Sequence, residues 1–330
     1  MKIIAVEEHF GFPEITAGGK AEEEALCPHF HAAYSNAWPL PHVPRPGSMQ
    51  DIAAGRIEDM DANGIDVQIL SSNSTQLIVS ADATEICRAA NDRLAASIAQ
   101  YPDRFYGFAS LPTIQPSAAA DELERTVKTY GFCGANLFGR TAGKFLDDPS
   151  FEPLLERAEA LGVPLYLHPG FPPREVSRVC YCGFSEIVST RFACAAWGWH
   201  ADSGVQVIRM ILSGVFDRHP ALIIISGHWG EMVPWYLERL QEALPKSVTG
   251  LQCDISEYYR RNIYVTPSGM FSMNQLRYIV DTLGADRVMF SVDYPFIPNT
   301  GAREFLEHAP LCQEDKEKIA HRNAETLFRI

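Results

Sequence analysis

Glu7, His9, His168, His228 and Asp293 each stand where a short apolar run stops: Val6-Glu7-Glu8-His9, Leu167-His168-Pro169-Gly170, Ser226-Gly227-His228 and Ser291-Val292-Asp293-Tyr294-Pro295. Carboxylates and imidazoles are the ligands that Zn2+ and Mn2+ accept, and two of each make a mixed oxygen and nitrogen cage. Neighbouring residues of a strand face opposite sides, so Glu7 and His9 share a face while Glu8 points away. The cage expected is Glu7, His9, His168 and Asp293, with His228 beside it. Any one of these histidines alone reads as well as a hydrogen-bonded core residue. Four such residues at matching strand ends point to a metal.

The run Gly227-His228-Trp229-Gly230-Glu231 carries a second kind of chemistry. Three residues of separation let the Glu231 carboxylate reach an imidazole nitrogen of His228, fixing its tautomer and raising its basicity, as a proton-handling histidine requires. Glu231 is expected in the first turn of the following helix, where the dipole favours an acidic residue in any case. Cys27-Pro-His29-Phe-His31 and Cys180-Tyr-Cys182 lack further ligands at recognisable spacing and read as loop packing, while His42, His219, His308 and His321 read as surface groups.

The elements that must bring these residues together alternate regularly. Apolar or β-branched runs at 3–6, 67–70, 105–109, 133–137, 163–167, 222–225, 263–266 and 288–292 are separated by segments with helical spacing at 50–63, 84–100, 117–129, 151–160, 205–212, 231–243, 273–282 and 313–329. Eight β-then-α units with continuously apolar strands predict an α/β fold, a (β/α)8 TIM barrel forming a single domain over 1–330. No Gly-rich turn follows the first strand, which counts against a nucleotide-binding open sheet. Residues 11–49 and 169–200 are long insertions after strands 1 and 5, on the face where a barrel carries its site.

Composition narrows the partners. The 28 Lys and Arg against 41 Asp and Glu leave a formal charge of −13, so neither nucleic acid nor an anionic membrane is expected, since both need a basic face. No apolar run approaches the length of a membrane span, no signal peptide is read, and eight scattered cysteines without a CxxC pair fit reduced thiols in the cytoplasm. An acidic chain that binds an anion needs a local cation, either a metal or an arginine.

The segments Glu7-Glu8-His9-Phe10, Arg56 to Asp66, Leu167-His168-Pro169, Trp197-Gly198-Trp199, Leu212 to Pro220, Gly227-His228-Trp229-Gly230-Glu231, Tyr264 to Gly269 and Asp286 to Phe296 together resemble the amidohydrolase superfamily. Within it they look most like the metal-dependent non-oxidative decarboxylases of γ-resorcylate, 2,3-dihydroxybenzoate and 5-carboxyvanillate. The resemblance runs nearly end to end. It implies one divalent ion per chain, Mn2+ or Zn2+, held by Glu7, His9, His168 and Asp293, with His9 the ligand that some relatives lack. It implies His228 and Glu231 as the proton-handling pair, and a homodimer or homotetramer in which Arg239 enters a neighbouring subunit's site. Glu231 to Arg239 is about 12 Å of helix rise, too far for Arg239 to serve its own metal.

The activity implied is loss of CO2 from a hydroxylated aromatic or similar unsaturated carboxylic acid, a small-molecule substrate, with Asp293 protonating the carbon that bears the carboxylate. Trp38 and Phe296 are expected at the substrate, with Phe30 and Trp197 as further loop aromatics. A hydrolase or hydratase of the same superfamily, activating water against a lactone, amide or unsaturated acid, would use almost the same residues.

Overall fold

The computed structural model describes residues 1–35, 42–72 and 74–330. Trp38 lies outside them. Among the described residues the strands are β1 (Ile4–Phe10), β2 (Val67–Ser72), β3 (Phe105–Gly107), β4 (Ala135–Phe138), β5 (Leu165–His168), β6 (Ile224–Ser226) and β7 (Ile263–Val265). Every ladder is parallel, in the orders β1-β2-β3 and β4-β5-β6-β7. A bridge between Ala109 and Ala135 joins the two sheets at one seam. At the other, Val288 bridges to Val265 and Tyr294 to Glu8. The sheet thus closes on itself with helices between successive strands, the expected (β/α)8 barrel.

The eighth strand departs from expectation. Residues 288–292 run beside β1 and β7, with Val6 N donating to Phe290 O at 3.0 Å and Met289 N to Val265 O at 3.0 Å, but they form no continuous ladder. The reason is a side chain that takes the place of backbone. Glu8 accepts from Val292 N at 2.9 Å through one carboxylate oxygen and from Tyr294 N at 3.1 Å through the other. Two amides that would have paired in a ladder are held by one fully buried carboxylate.

β1 also holds an irregularity that the alternation rule cannot foresee. Ile4 pairs with Val67 and Ala5 with Gln68, but it is Glu8 that pairs with Leu70, so β1 contains one extra residue between Ala5 and Glu8. Before the bulge, Ile4 and Val6 pack inside the barrel with Val67, Ile69, Phe108 and Tyr166. After it the parity has switched, and Glu7 and His9 face inward. Bulges re-aim side chains in this way at barrel rims.

Both insertions contain helix. Residues 11–49 carry a helix over Pro13–Leu26, and 169–200 carry helices over Arg174–Cys180 and Glu186–Ala193. They meet in an apolar cluster of Ala33, Tyr34, Val43 and Cys194, flanked by Cys27, Phe30, Phe171 and Trp199. The helix expected to start near 205 begins at Gly198. No Ser, Thr, Asp or Asn caps that end, so its first turn reads as loop in the sequence. His219 is no surface group: it is buried between Glu159 at 3.0 Å and Glu152 at 2.8 Å.

The Glu8 carboxylate is backed by Arg56, fully buried, whose guanidinium donates to His9 O at 2.5 Å, Gln68 Oε1 at 3.3 Å and Asp51 O at 2.8 Å. Replacing Glu8 by Ala strands Arg56 and two backbone amides in the interior. The expected loss of unfolding free energy is roughly 3–5 kcal/mol, read by urea titration; a loss below about 1 kcal/mol would show that the seam does not depend on this side chain.

Candidate metal centre and its imidazole relay

Glu7, His9, His168 and Asp293 converge at the carboxyl end of the barrel strands. One ligand-type atom from each lies within 4.8 Å of all the others, and all four residues are buried. His9 Nε2 is 3.0 Å from Asp293 Oδ1, and His168 Nε2 is 3.5 Å from Glu7 Oε1. These same four atoms, Glu7 Oε1, His9 Nε2, His168 Nε2 and Asp293 Oδ1, have no hydrogen-bond partner. An unpaired buried polar atom costs about 1–3 kcal/mol, so four together approach the whole stability of an ordinary domain. They are accounted for together if a cation sits among them.

The far side of each ligand is tied down. His9 Nδ1 is 3.0 Å from Ser71 Oγ, which accepts from Asn136 Nδ2 at 2.9 Å. His168 Nδ1 lies 2.8 Å from Pro169 O, and since a carbonyl only accepts, that nitrogen carries the proton and Nε2 offers its lone pair. Glu7 Oε2 accepts from Ser268 Oγ, from Ser291 Oγ at 3.2 Å and from Thr266 Oγ1 at 3.5 Å. Ligand imidazoles and carboxylates held from behind are the usual support of a metal site. Burial holds His168 well below the ordinary imidazole range, keeping it neutral as a ligand must be. Burial also raises Glu7, with the charge of His228 opposing. Two carboxyl and two imidazole side chains offer ligand atoms of the kind a divalent ion accepts, and the aromatic faces of Phe138 and Phe296, at 5.6 Å from the His9 ring centre, limit what else can reach them.

His228 follows β6 in a turn of unusual backbone. His228, Trp229, Gly230, Glu231 and Met232 all have positive φ, from 47° to 80°. Left-handed conformations at non-glycine residues cost roughly 1–2 kcal/mol each, and several contacts hold this one. Trp229 N donates to Thr266 O at 2.8 Å, His228 N to Ser268 Oγ at 2.8 Å, and the Trp229 indole to Met270 O at 2.8 Å. Gly230 is required, because a Cβ there would run into the Tyr259 hydroxyl and the Pro234 ring. Glu231 is therefore not in the first turn of a helix as expected; it ends this left-handed turn, and the next helix starts at Val233. The expected contact holds nonetheless, with His228 Nδ1 and Glu231 Oε1 2.9 Å apart. Burial pulls His228 down, but the charge and hydrogen bond of Glu231 outweigh it and bring the imidazole up to about 9. Against its own burial, Glu231 is held below the usual carboxylate range by His200 and His228.

His200 is the residue that sequence reasoning missed. Its Nδ1 lies 2.9 Å from the second Glu231 oxygen, and its ring centre is 4.4 Å from that of His228. The only signal was its place after Trp197-Gly198-Trp199 in a stretch that reads as loop. His200, His228 and Glu231 also bring three ligand-type atoms together, but here the Glu231 oxygens and both Nδ1 atoms answer one another, which distinguishes a hydrogen-bonded relay from a metal cage. His42 is exposed, the surface group the sequence suggested. Arg239 is 72% exposed on the helix after the turn, 3.4 Å from the equally exposed Glu242, and takes no part in this chain's own cluster. Trp197 is 48% exposed, and Phe30 packs on Tyr34 and Phe171 at 4.9 Å.

A closed parallel barrel with four buried ligands at the strand ends and a carboxylate-oriented histidine beside them defines a metal-dependent hydrolase-type scaffold. Residues 28–330 match the amidohydrolase family model. The chain is 34% identical to a γ-resorcylate decarboxylase of a Polaromonas species, over 99% of this chain and 98% of that protein. It is 37% identical to the decarboxylase orsB of Emericella nidulans, over 86% of this chain and 87% of that protein. A crystal structure of a Polaromonas dihydroxybenzoic acid decarboxylase, with bound manganese and the inhibitor 2-nitroresorcinol, superposes with a TM-score of 0.83 at 33% identity, covering 99% and 97% of the two chains. The chain belongs to the amidohydrolase family, in its decarboxylase branch.

Chelation followed by reconstitution should restore about one tightly held divalent ion per chain, measured by elemental analysis after desalting. His168→Ala should lose that stoichiometry and His228→Ala should keep it. Equal retention in both would place the ion elsewhere.

Proposed function

We propose that this protein removes CO2 from a hydroxylated aromatic acid, using one divalent metal ion held by Glu7, His9, His168 and Asp293. The observation that carries the proposal is the set of four inward-facing ligand atoms without partners, on a chain similar over nearly its whole length to γ-resorcylate decarboxylases. Manganese, present in the similar Polaromonas structure, suits the mixed carboxylate and imidazole set, as does zinc. When bound, the ion supplies the positive charge that holds an anionic substrate in an acidic protein. The whole chain is read as one barrel domain.

The residues then divide the work. Asp293, carrying a proton, donates it to the ring carbon that bears the carboxylate, and the ring loses its aromaticity. The bond to the carboxylate breaks, its electron pair returns to the ring, CO2 departs and Asp293 is left as carboxylate. His228, its Nδ1 bound to Glu231, turns Nε2 toward the substrate oxygen that feeds electrons to the ring. An imidazolium there stabilises negative charge on that oxygen. Phe296 and Trp38 are assigned to the substrate's ring. The similar decarboxylases favour this reading over the hydrolytic one.

Arg239 is assigned to a neighbouring subunit's site. Trp235 and Tyr236, 46% and 64% exposed, lie one turn before it on the same helix, and Trp235 stacks on Tyr278 at 3.9 Å. Such an aromatic face is suited to an interface between copies. No helix among the described residues is long and apolar enough to cross a membrane, and all eight cysteines are free thiols, in keeping with a reducing compartment such as the cytoplasm.

A panel of mono- and dihydroxybenzoates, followed by CO2 release and ring absorbance, should give turnover with at least one member. Silence across the panel, together with hydrolysis of aromatic lactones or amides, would replace the reading. Glu231→Gln removes the negative charge that favours the His228 imidazolium, so the alkaline limb of kcat/KM should move to lower pH; an unmoved limb would remove the pair from the mechanism. Arg239→Ala alone should lose activity and, mixed with His168→Ala, should recover about a quarter of the wild-type rate if sites are shared between two chains; if each chain works alone, Arg239→Ala stays active and the mixture gives about half.

A further inference from the structure

The relay behind His228 extends further than one carboxylate. Glu231 is fully enclosed, and each of its oxygens has its own imidazole: Oε1 takes His228 Nδ1 at 2.9 Å and Oε2 takes His200 Nδ1 at 2.9 Å. The other nitrogen of His200 is also engaged. The Trp199 indole N–H, which can only donate, points at His200 Nε2 from 3.0 Å. Nε2 must then present its lone pair, so the proton of a neutral His200 is on Nδ1 and is given to Glu231. Ala195 O, 3.0 Å from the same Nε2, becomes its partner only if the ring gains a second proton. Trp199, His200, Glu231 and His228 thus form one chain of hydrogen bonds that converges on the Glu231 carboxylate, two of its groups drawn from the helix start at Gly198 and two from the strained turn after β6.

We propose that His200 is a positioning residue for the reaction: by donating from Nδ1 to Glu231 Oε2 it locks the carboxylate plane so that Oε1 stays on His228 Nδ1 and His228 Nε2 stays aimed at the substrate. The inference rests on the role assigned above to His228 and Glu231. His200 does not touch substrate, because both of its nitrogens are spent within the protein. Its contribution follows from geometry. A carboxylate held at one oxygen can rotate about its last bond, whereas one held at both cannot, and loss of a partner that orients a site imidazole commonly costs 10- to 100-fold in activity. The left-handed turn supports the same end. Five residues of positive φ place His228 and Glu231 on one side of a tight loop, but they leave the carboxylate torsion free, and His200 comes from a different segment to fix it.

The test compares His200→Asn, whose side-chain amide can donate from nearly the position of Nδ1, with His200→Leu, which fills the space and donates nothing. Metal-loaded enzyme is assayed on whichever hydroxybenzoate it turns over. His200→Leu should lower kcat about tenfold or more with KM within about twofold of wild type and metal content unchanged, and His200→Asn should recover most of that loss. A packing role predicts the reverse order, with Leu better than Asn, and would overturn the proposal, as would wild-type kcat in His200→Leu. If His200→Leu does not fold, His200→Asn and Trp199→Phe carry the test: near-wild-type kcat in the first and a several-fold fall in the second support the relay, and any other pair of results overturns it. The background variant Glu231→Gln separates this from the reading it rests on. If Glu231→Gln itself retains full activity, the assignment of His228 and Glu231 fails. If it is impaired, adding His200→Leu to it should cost less than about twofold more, and a full further loss would show that His200 acts by another route.

Discussion

The structure turns on one unsatisfied demand: four buried polar atoms from three strand ends face one another without hydrogen-bond partners. Two are carboxylate oxygens and two are imidazole nitrogens whose lone pairs have no donor. Folding a chain into that state without a cation leaves two carboxyl and two imidazole atoms buried without partners, at about 1–3 kcal/mol for each. A divalent ion removes the demand at a stroke, which makes metal binding and stability of the barrel mouth the same event. It also answers the puzzle of an acidic protein with an anionic substrate, since net charge describes the solvent-facing surface and the local potential is set by what the strand ends hold.

The rest of the barrel can be understood as what keeps those atoms aimed. The bulge in β1 switches the strand's parity so that Glu7 and His9 face inward above an apolar interior. The residue between them is put to structural use. Glu8, on the outward side, replaces two ladder bonds of the eighth strand and so fixes Asp293, whose own amide donates to Glu7 O at 2.9 Å. Arg56 donates to the carbonyl of His9 and places its charge near the same carboxylate. The candidate ligands on the first and last strands are therefore joined across the closing seam through backbone hydrogen bonds and buried charge.

Much of this was legible in the residues. Runs ending in Glu7-Glu8-His9, His168-Pro169, Gly227-His228 and Asp293-Tyr294 fall at regular spacing, and a parallel barrel gathers such ends into one mouth whatever the details of its helices. Spacing also gave the His228 and Glu231 contact, though for a partly wrong reason, since a left-handed turn rather than a helix brings them together. What the residues hid was three-dimensional. A one-residue bulge leaves no mark in composition; the pairing of Glu8 with strand amides depends on where the barrel closes; and His200 sits in a helix start without a capping residue, in a segment that holds three cysteines, two tryptophans and three prolines.

In the proposed reaction the ring carbon that loses the carboxylate gains a proton, and a solvent isotope reports on that step alone. Metal-loaded enzyme turning over a hydroxybenzoate in D2O should place one deuterium at the ring position the carboxylate has left, seen by proton NMR of the product, and Asp293→Asn should release neither CO2 nor deuterated product. Deuterated product formed at an undiminished rate by Asp293→Asn, or by metal-free enzyme, would contradict the account.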